Sequence, residues 1–187
     1  MQVLLLSLPW APFNRPSIQL GALKGFLDQQ FADLRVVSRH PSLTAAAAIG
    51  TDRYRRISEN TWAGEALYSG LLFPELRDPA RRLFQRELPD RGRATLEDLL
   101  PLVDANLDSC LEDVLREDFH LVGFSVCFSQ LSASILAASR LKARQPDLRV
   151  VFGGSVITPD LARSLPEAFP AVDACITGEG ERPLQAL

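Results

Sequence analysis

Two segments in the second half of the chain decide the fold. Leu121–Gln130 reads LVGFSVCFSQ, and Leu148–Ser155 reads LRVVFGGS. Each contains a short apolar run that is typical of a buried strand. Between the two segments, apolar residues recur at helical spacing and stop before Pro146; they are Leu131, Ile135, Ala138 and Leu141. A strand, a helix and a second strand in close succession predict a parallel α/β unit.

The same alternation continues on both sides of this unit. Val3–Leu8 is predicted as the first strand, Pro16 as the first position of the helix that follows, and Leu34–Ser38 as the second strand. After a short helix near residues 159–165, Val172–Ile176 is predicted as the fifth strand, and another helix begins at about Arg182. Because the chain stops so soon after this helix begins, we expect it to be a fragment of a longer protein.

Residues 41 to about 117 interrupt the alternation and are predicted to be helical. The region contains the alanine run Ala45–Ala48 and the aromatic segment Trp62–Phe73. Thr95 with Asp98 predicts a capping box, and apolar residues follow at helical spacing. Since no linker rich in Pro, Gly or Ser flanks the region, we interpret it as a helical insertion within one domain of residues 1–187.

Composition excludes several classes of protein. The chain has 187 residues, of which 47% are hydrophobic and 23% charged, with a net charge of -3. This slightly acidic balance predicts no nucleic-acid partner, and the absence of an apolar run of about 18 residues predicts no membrane span. With no signal peptide recognisable, we expect a cytoplasmic protein. Its cysteines, at positions 110, 127 and 175, are too widely spaced for a disulfide framework or a metal site.

The third predicted strand alternates between small and large side chains. Gly123, Ser125 and Cys127 are predicted to face one side of the sheet, and Val122, Phe124, Val126 and Phe128 the other. The small face forms either a slot for part of a ligand or a seat for a closely packed helix. Spacing alone favours the packed helix.

Glycines follow the fourth and fifth predicted strands, where an open parallel sheet binds its ligands. They are Gly153-Gly154, followed by Ser155, and Gly178-Glu179-Gly180. A tight turn explains the pair after the fourth strand as often as a ligand does, and the group after the fifth strand is a weak pattern by itself. Neither matches the dinucleotide or P-loop fingerprint, and no Ser-His-Asp or Cys-His arrangement is recognisable. The residues therefore favour a binding module over an independent enzyme.

Several segments, taken together and in order, resemble the start of cobalamin-dependent radical SAM enzymes. They are Val3–Pro9 with Arg15-Pro16-Ser17 and Leu20–Leu27, then Leu121–Gln130, Val151–Ser155 (VFGGS) and Asp173–Leu184 (DACITGEGERPL). Two further segments, Tyr54–Glu59 (YRRISE) and Gly64–Phe73 (GEALYSGLLF), are similar to a narrower group. This group is the radical SAM proteins of ribosomal-peptide (RiPP) maturation, many of which are C-methyltransferases.

The resemblance implies a flavodoxin-like (Rossmann-like) α/β fold. Its five-stranded parallel sheet would have the order 2-1-3-4-5, with the helical insertion between strands 2 and 3. The implied cofactor is cobalamin, whose corrin ring lies across the carboxyl edge of the sheet and whose nucleotide tail enters a slot beside it. The cofactor-binding residues expected on this basis are Pro9, Trp10, Ser17, Ser125, Cys127, Gly153, Gly154, Ser155, Gly178, Glu179 and Gly180.

The resemblance also implies an activity for the parent protein. The domain would present methylcobalamin to a radical centre, for methyl transfer to a carbon of a precursor peptide. The CxxxCxxC motif is missing from this chain, so the [4Fe-4S] cluster and S-adenosylmethionine are expected only in a radical SAM domain that follows Leu187 in the parent. That domain is the expected partner, with the precursor peptide as a second one. This chain by itself is not expected to be catalytic.

The first predicted loop departs from the methionine-synthase type of cobalamin domain. That type carries DxHxxG after the first strand, whereas Trp10–Pro16 contains neither Asp nor His. The resemblance therefore implies no histidine ligand to cobalt from this loop, and it leaves Trp10 or Phe13 to contact the lower face of the corrin.

Two other functions remain open from the residues. One is a flavodoxin-like module for a flavin or a nucleotide, although Trp10–Pro16 lacks the Ser, Thr and Gly that grip phosphate. The other is a protein-interaction domain in which Trp62–Phe73 receives a partner. In the simpler interpretation of that segment, its aromatic residues cover the sheet.

Overall fold

The fold is a parallel sheet that is covered by helices on both faces. The structure is a computed structural model that describes residues 1–89 and 94–185. Its strands are β1 (Gln2–Leu6), β2 (Arg35–Arg39), β3 (Leu121–Ser125), β4 (Arg149–Gly153) and β5 (Ala174–Cys175). They are all parallel and lie in the order β2-β1-β3-β4-β5. The predicted flavodoxin-like fold class is confirmed.

Helices connect the strands in chain order. They are α1 (Ile18–Gln30), α2 (Ser42–Ile49), α3 (Thr51–Ser58), α4 (Ala63–Leu72), α5 (Arg77–Glu87), α6 (Leu96–Leu115), α7 (Leu131–Arg144), α8 (Pro159–Ala168) and α9 (Glu181–Gln185). A 3₁₀ turn, Pro74–Leu76, precedes α5. Within the described part of the chain, no helix is both long and apolar enough to cross a lipid bilayer.

The two faces of the sheet belong to two separate apolar clusters. Leu4, Leu6, Val122 and Phe124 point into the larger cluster, which also contains the buried residues of the insertion and of α7. Their sequence neighbours point into a smaller cluster, closed by α1; it consists of Val3, Leu5, Leu20, Leu27, Val36, Leu121, Val151 and Ile176. This alternation follows from the two-residue period of a strand. The smaller cluster has the thinner cover, and the cavity described below lies on that side.

The insertion between β2 and β3 is helical, as predicted. Thr95 caps α6 with the predicted box: its hydroxyl accepts a hydrogen bond from the amide of Asp98, whose carboxylate accepts one from the amide of Thr95. In α4 the side chains of Leu67 and Tyr68 are fully buried in the larger cluster. The segment packs against α5, α6 and α7, so most of it is buried within the molecule and is not free to receive a partner, although Trp62 at its start is 54% exposed.

Several boundaries differ from the sequence prediction, among them the end of β1, which lies at Leu6 and not at Leu8. Pro16 lies outside α1, because Ser17 caps this helix by accepting a hydrogen bond from the amide of Leu20. β3 ends at Ser125, so the alternation does not reach Phe128, which is 72% exposed and not part of the large face. β5 extends only over Ala174 and Cys175. A capping bond decides the start of α1, and the extent of pairing with β4 decides the ends of β3 and β5.

Candidate functional site

A cavity of about 640 Å³ opens at the carboxyl edge of the sheet, between the strands and α1. Its walls come from β3, β4, the loops that follow them, the loop after β5, and the helices α1 and α9. It brings together eight of the predicted binding residues: Ser125, Cys127, Gly153, Gly154, Ser155, Gly178, Glu179 and Gly180. The small face of β3 therefore borders an open space, and the slot interpretation is favoured over a closely packed helix.

The opposite wall of the cavity was missed by sequence reasoning. It consists of residues from α1 and α9, among them Gln19, Leu20, Leu23 and Leu184. Leu5 of β1, beside Gly123 in the sheet, was missed as well. The apolar face of α1 was visible in the sequence, but its spacing shows only that the helix packs on something. Which part of that face borders a cavity depends on how far the helix stands from the sheet.

The two glycines after β4 have different reasons to be glycine. Gly154 has a φ of +106°, and a Cβ there would lie 2.5 Å from the carbonyl oxygen of Val126. This glycine is required by the chain itself, so any side chain at position 154 strains the backbone before it meets a ligand. At Gly153 a Cβ would meet only Ile176, at 3.7 and 3.8 Å, which is ordinary contact. Gly153 is therefore the position at which a side chain can fill the cavity without disturbing the fold.

In the loop after β1, the side chain of Trp10 points away from the cavity. Trp10 is 3% exposed, has a φ of +119°, and packs against Tyr54 and Tyr68 with ring centroids 5.1 and 6.1 Å away. A Cβ at Gly64 would lie 2.6 Å from the Nε1 of Trp10. Neither Trp10 nor the buried Pro9 lines the cavity, and the indole is enclosed by the insertion instead of being presented at the sheet edge.

The remaining predicted residue, Ser17, acts as the cap of α1. Its hydroxyl also donates to the Oε1 of Gln19 at 2.9 Å, and Gln19 lines the cavity. Ser17 thus fixes the start of α1, which forms a wall of the cavity, but Ser17 itself does not line the cavity.

Two buried tyrosines hold the first loop. The hydroxyl of Tyr54 donates to the carbonyl oxygen of Ala11 at 2.6 Å, and burial raises the pKa of Tyr54 to about 12. Burial also raises the pKa of Tyr68, whose ring is fully enclosed. Both phenols therefore stay neutral at physiological pH. Tyr54 packs and donates a hydrogen bond, whereas Tyr68 contacts the loop through its ring, and its hydroxyl has no hydrogen-bond partner among the described residues. Tyr54 lies in α3 and Tyr68 in α4, within the two segments that resemble peptide-maturation proteins. These segments therefore hold the first loop in place.

Gln130 joins the loops that follow β1 and β3. Its amide nitrogen donates to the carbonyl oxygen of Leu8, and its Oε1 accepts from the amide of Cys127 at 2.8 Å. Gln130 is 1% exposed, so these backbone groups would have no water to replace it. In this sheet order successive strands are added in opposite directions from the point between β1 and β3, and Gln130 joins the two loops there, next to Cys127 at the cavity.

The charges around the cavity are sparse and negative. Glu179 and Glu181 lie at its mouth, and the described residues that line it include neither Lys nor Arg. Burial raises the pKa of the Cys175 thiol in β5, so this thiol is not activated as a nucleophile, and it packs against the larger cluster on the other face of the sheet. The cavity can therefore bind by shape, apolar contact and hydrogen bonds, and it offers no cation to a phosphate.

These features fit the nucleotide tail of cobalamin. The volume suits one elongated arm of a cofactor and is too small for a whole corrinoid. Gly153 faces it, and a side chain there would occupy space that the tail needs, whereas at Gly123 an added Cβ would first press on Leu5 at 3.2 Å. Ser125, at 8% exposure, places a hydroxyl at the edge. The predicted cofactor and the geometry therefore agree.

The comparison with protein families gives one match. Residues 93–187, just over half of the chain, match the model of the B12 binding domain. The match includes β3, β4, β5 and the loops that carry the eight predicted cavity residues. No curated protein and no solved structure matches the chain. On the strength of the fold, the cavity and this match, the chain belongs to the B12-binding domain family.

Proposed function

We propose that this chain is the cobalamin-binding domain of a radical SAM methyltransferase that modifies a ribosomally made precursor peptide. The single observation that carries the cobalamin part is the cavity in which eight predicted residues meet, inside the region matched by the B12 binding domain. The radical SAM part is supported by the ordered sequence segments quoted above and by the exposed edge described below.

The residues of this chain bind and orient the cofactor. Ser125 and Ser155 offer hydroxyl groups at the mouth of the cavity, and Gly153 leaves room for the tail to pass. Leu20 and Leu23 on α1 exclude water from the interior. Bound cobalamin supplies a methyl carrier for transfer to a carbon radical, a reaction for which this chain contributes placement only.

The carboxyl edge also presents apolar side chains to the outside. Ile18 is 83% exposed, Phe128 72% and Trp62 54%. Ser129, next to Phe128, donates a hydrogen bond of 2.7 Å to the carbonyl oxygen of Thr61, which fixes the Phe128 loop beside the start of α4. Large apolar groups grouped at the ligand edge favour contact with another surface. In our proposal this surface is the radical SAM domain of the parent chain, with the peptide held between the two.

Titration with hydroxocobalamin tests the cobalamin part. We expect a change in the visible spectrum on binding and elution of the corrinoid together with the protein in gel filtration. If the folded protein shows neither effect, the proposed function is wrong.

The variant Gly153→Val tests whether the cavity is the binding site. Valine fits the backbone at position 153 and suits a strand, so the fold should persist while the cavity narrows. We expect the affinity for cobalamin to fall by roughly tenfold or more, the effect of misfitting a methyl-sized group. Gly21→Val is the matched control, because a Cβ there meets nothing within 4 Å and Gly21 does not line the cavity. Equal affinities for the two variants would contradict the assignment.

The radical SAM part has a separate test. We expect the parent gene to encode CxxxCxxC beyond Leu187, and the purified parent to transfer an isotopic methyl label from S-adenosylmethionine to a peptide. A parent with no such motif and no label transfer would leave cobalamin binding in place but refute the methyltransferase proposal.

A further inference from the structure

The cavity changes from polar to apolar with depth, and the register of the strands shows this directly. Ser125 pairs with Gly153 at the carboxyl edge of the sheet. Two residues further in on the same face, Gly123 lies between Leu5 and Val151. The outer row therefore carries a hydroxyl group, whereas the inner row has only aliphatic side chains and a glycine.

The helical walls follow the same gradient. α1 begins at the mouth, where Ile18 and Gln19 line the cavity, and contributes Leu20 and Leu23 further along. α9 places Glu181 near the mouth and Leu184 one turn further on. The polar side chains that line the cavity thus lie at its mouth, and the deep end is enclosed by leucine, valine and glycine.

This gradient divides a corrinoid tail into two parts. The sugar and phosphate would lie at the polar mouth, and the terminal base would lie at the apolar end. No cation among the described lining residues draws the phosphate inward. The base must therefore be a group that gains from apolar burial and loses little when its hydrogen-bonding atoms have no partners.

Resting on the proposed function, we infer that the cavity selects corrinoids by their lower base and favours a methylated benzimidazole over a purine. A dimethylbenzimidazole brings two methyl groups to Leu5, Leu23 and Val151. An adenine base would instead bury an amino group and ring nitrogens among the same side chains. Leaving such polar groups without partners is penalised more heavily than the loss of a methyl contact.

Three corrinoids separate this inference from the proposed function. Cobalamin carries the benzimidazole base, pseudocobalamin carries adenine in its place, and cobinamide lacks the tail. We expect cobalamin to bind roughly tenfold or more tightly than pseudocobalamin, since one misfitted group commonly has an effect of that order. Cobinamide should be weaker than cobalamin as well. Visible-spectrum titration gives all three affinities without any assay of activity.

The variant Val151→Thr places a hydroxyl at the deep end with almost no change in volume. It should bring the affinities for pseudocobalamin and cobalamin closer together by severalfold, because adenine gains a partner. Val150→Thr is the matched control: it makes the same change on the same strand, but Val150 points into the larger cluster on the opposite face. The control should leave the ratio of affinities unchanged. If Val151→Thr fails to fold, Leu23→Gln on α1 makes the same test from the helical wall.

The outcomes are distinct. Equal binding of cobalamin and pseudocobalamin refutes selection by the base, while the cobalamin function stands. Cobinamide that binds as tightly as cobalamin shows that the tail lies outside the cavity, which also refutes the inference. Absence of binding by every corrinoid refutes the proposed function, and the inference with it.

Discussion

At the scale of single residues, neighbouring glycines serve different purposes. The sequence predicts that Gly153-Gly154 makes room for a ligand, and both residues do line the cavity. Only the structure shows that Gly154 is held by its close approach to Val126, whereas Gly153 is free to accept a side chain. The sequence could not separate them, because positive φ and close backbone approach arise from tertiary packing. Substitution at Gly154 therefore measures folding more than binding.

Gly64 in α4 offers a residue-scale prediction about stability. A methyl group there overlaps the indole of the buried Trp10, so Gly64→Ala should destabilise the fold by about 1–3 kcal/mol, as overpacking does. Gly70→Ala in the same helix is the control. There the nearest atom, the Cβ of Ala80, is 3.6 Å from the added carbon, and alanine improves helix propensity by up to about 1 kcal/mol. Urea unfolding checks both variants, and a stable Gly64→Ala would contradict the packing around Trp10.

At the scale of elements, the sequence predicts what local patterns control. The apolar period and the capping box located α6, and the apolar runs placed each strand within a few residues. The loops were not predictable in the same way. Trp10 and Phe128 both follow strands at the ligand edge, yet one is 3% exposed and the other 72%. Their directions depend on contacts with α3, α4 and Thr61, which lie far away in the sequence.

The cap of α6 gives an element-scale prediction with a pH dependence. Thr95→Ala should cost about 1 kcal/mol at neutral pH, since it removes the hydroxyl that caps the helix. The backbone amide and hydroxyl of Thr95 lower the pKa of Asp98. A lowered pKa means that the contribution of this carboxylate is present above its unfolded pKa and is lost as the pH falls through the folded value. Urea midpoints of wild type and variant should therefore converge in acid.

A second threonine cap is the control for this pH dependence. Thr158 caps α8 by accepting a hydrogen bond from the amide of Leu161. Leu161 occupies the position in α8 that Asp98 occupies in α6. Without a carboxylate at that position, the deficit of Thr158→Ala should stay nearly constant with pH. Parallel pH profiles for the two variants would show that Asp98 does not take part in the cap of α6.

At the scale of the whole molecule, the order of the strands was predictable only through the resemblance to a family. Five apolar runs indicate a parallel sheet, but no single run indicates its neighbours. The walls of the cavity were also only partly predictable from the sequence. Residues on the β3, β4 and β5 side were predicted, while the α1 wall became visible only when the helix was placed against the sheet.

Ligand linkage gives a prediction for the whole chain. Cobalamin at about 100 times its dissociation constant should stabilise the fold by about 2.7 kcal/mol. For a chain of this length, that corresponds to a rise in Tm of roughly 5–10 °C. Thermal unfolding with and without the cofactor checks the shift. Gly153→Val should show a much smaller rise at the same cobalamin concentration, and an equal rise would place the cofactor elsewhere.

The position of the cavity has a mechanical consequence. The residues that line it come from two distant parts of the chain, residues 5–23 and residues 123–184. A ligand that contacts both parts would link them non-covalently across about a hundred residues of sequence. Because β1 also pairs with β3, loading would strengthen a coupling between the β1–α1–β2 unit and the rest of the molecule that the sheet already provides.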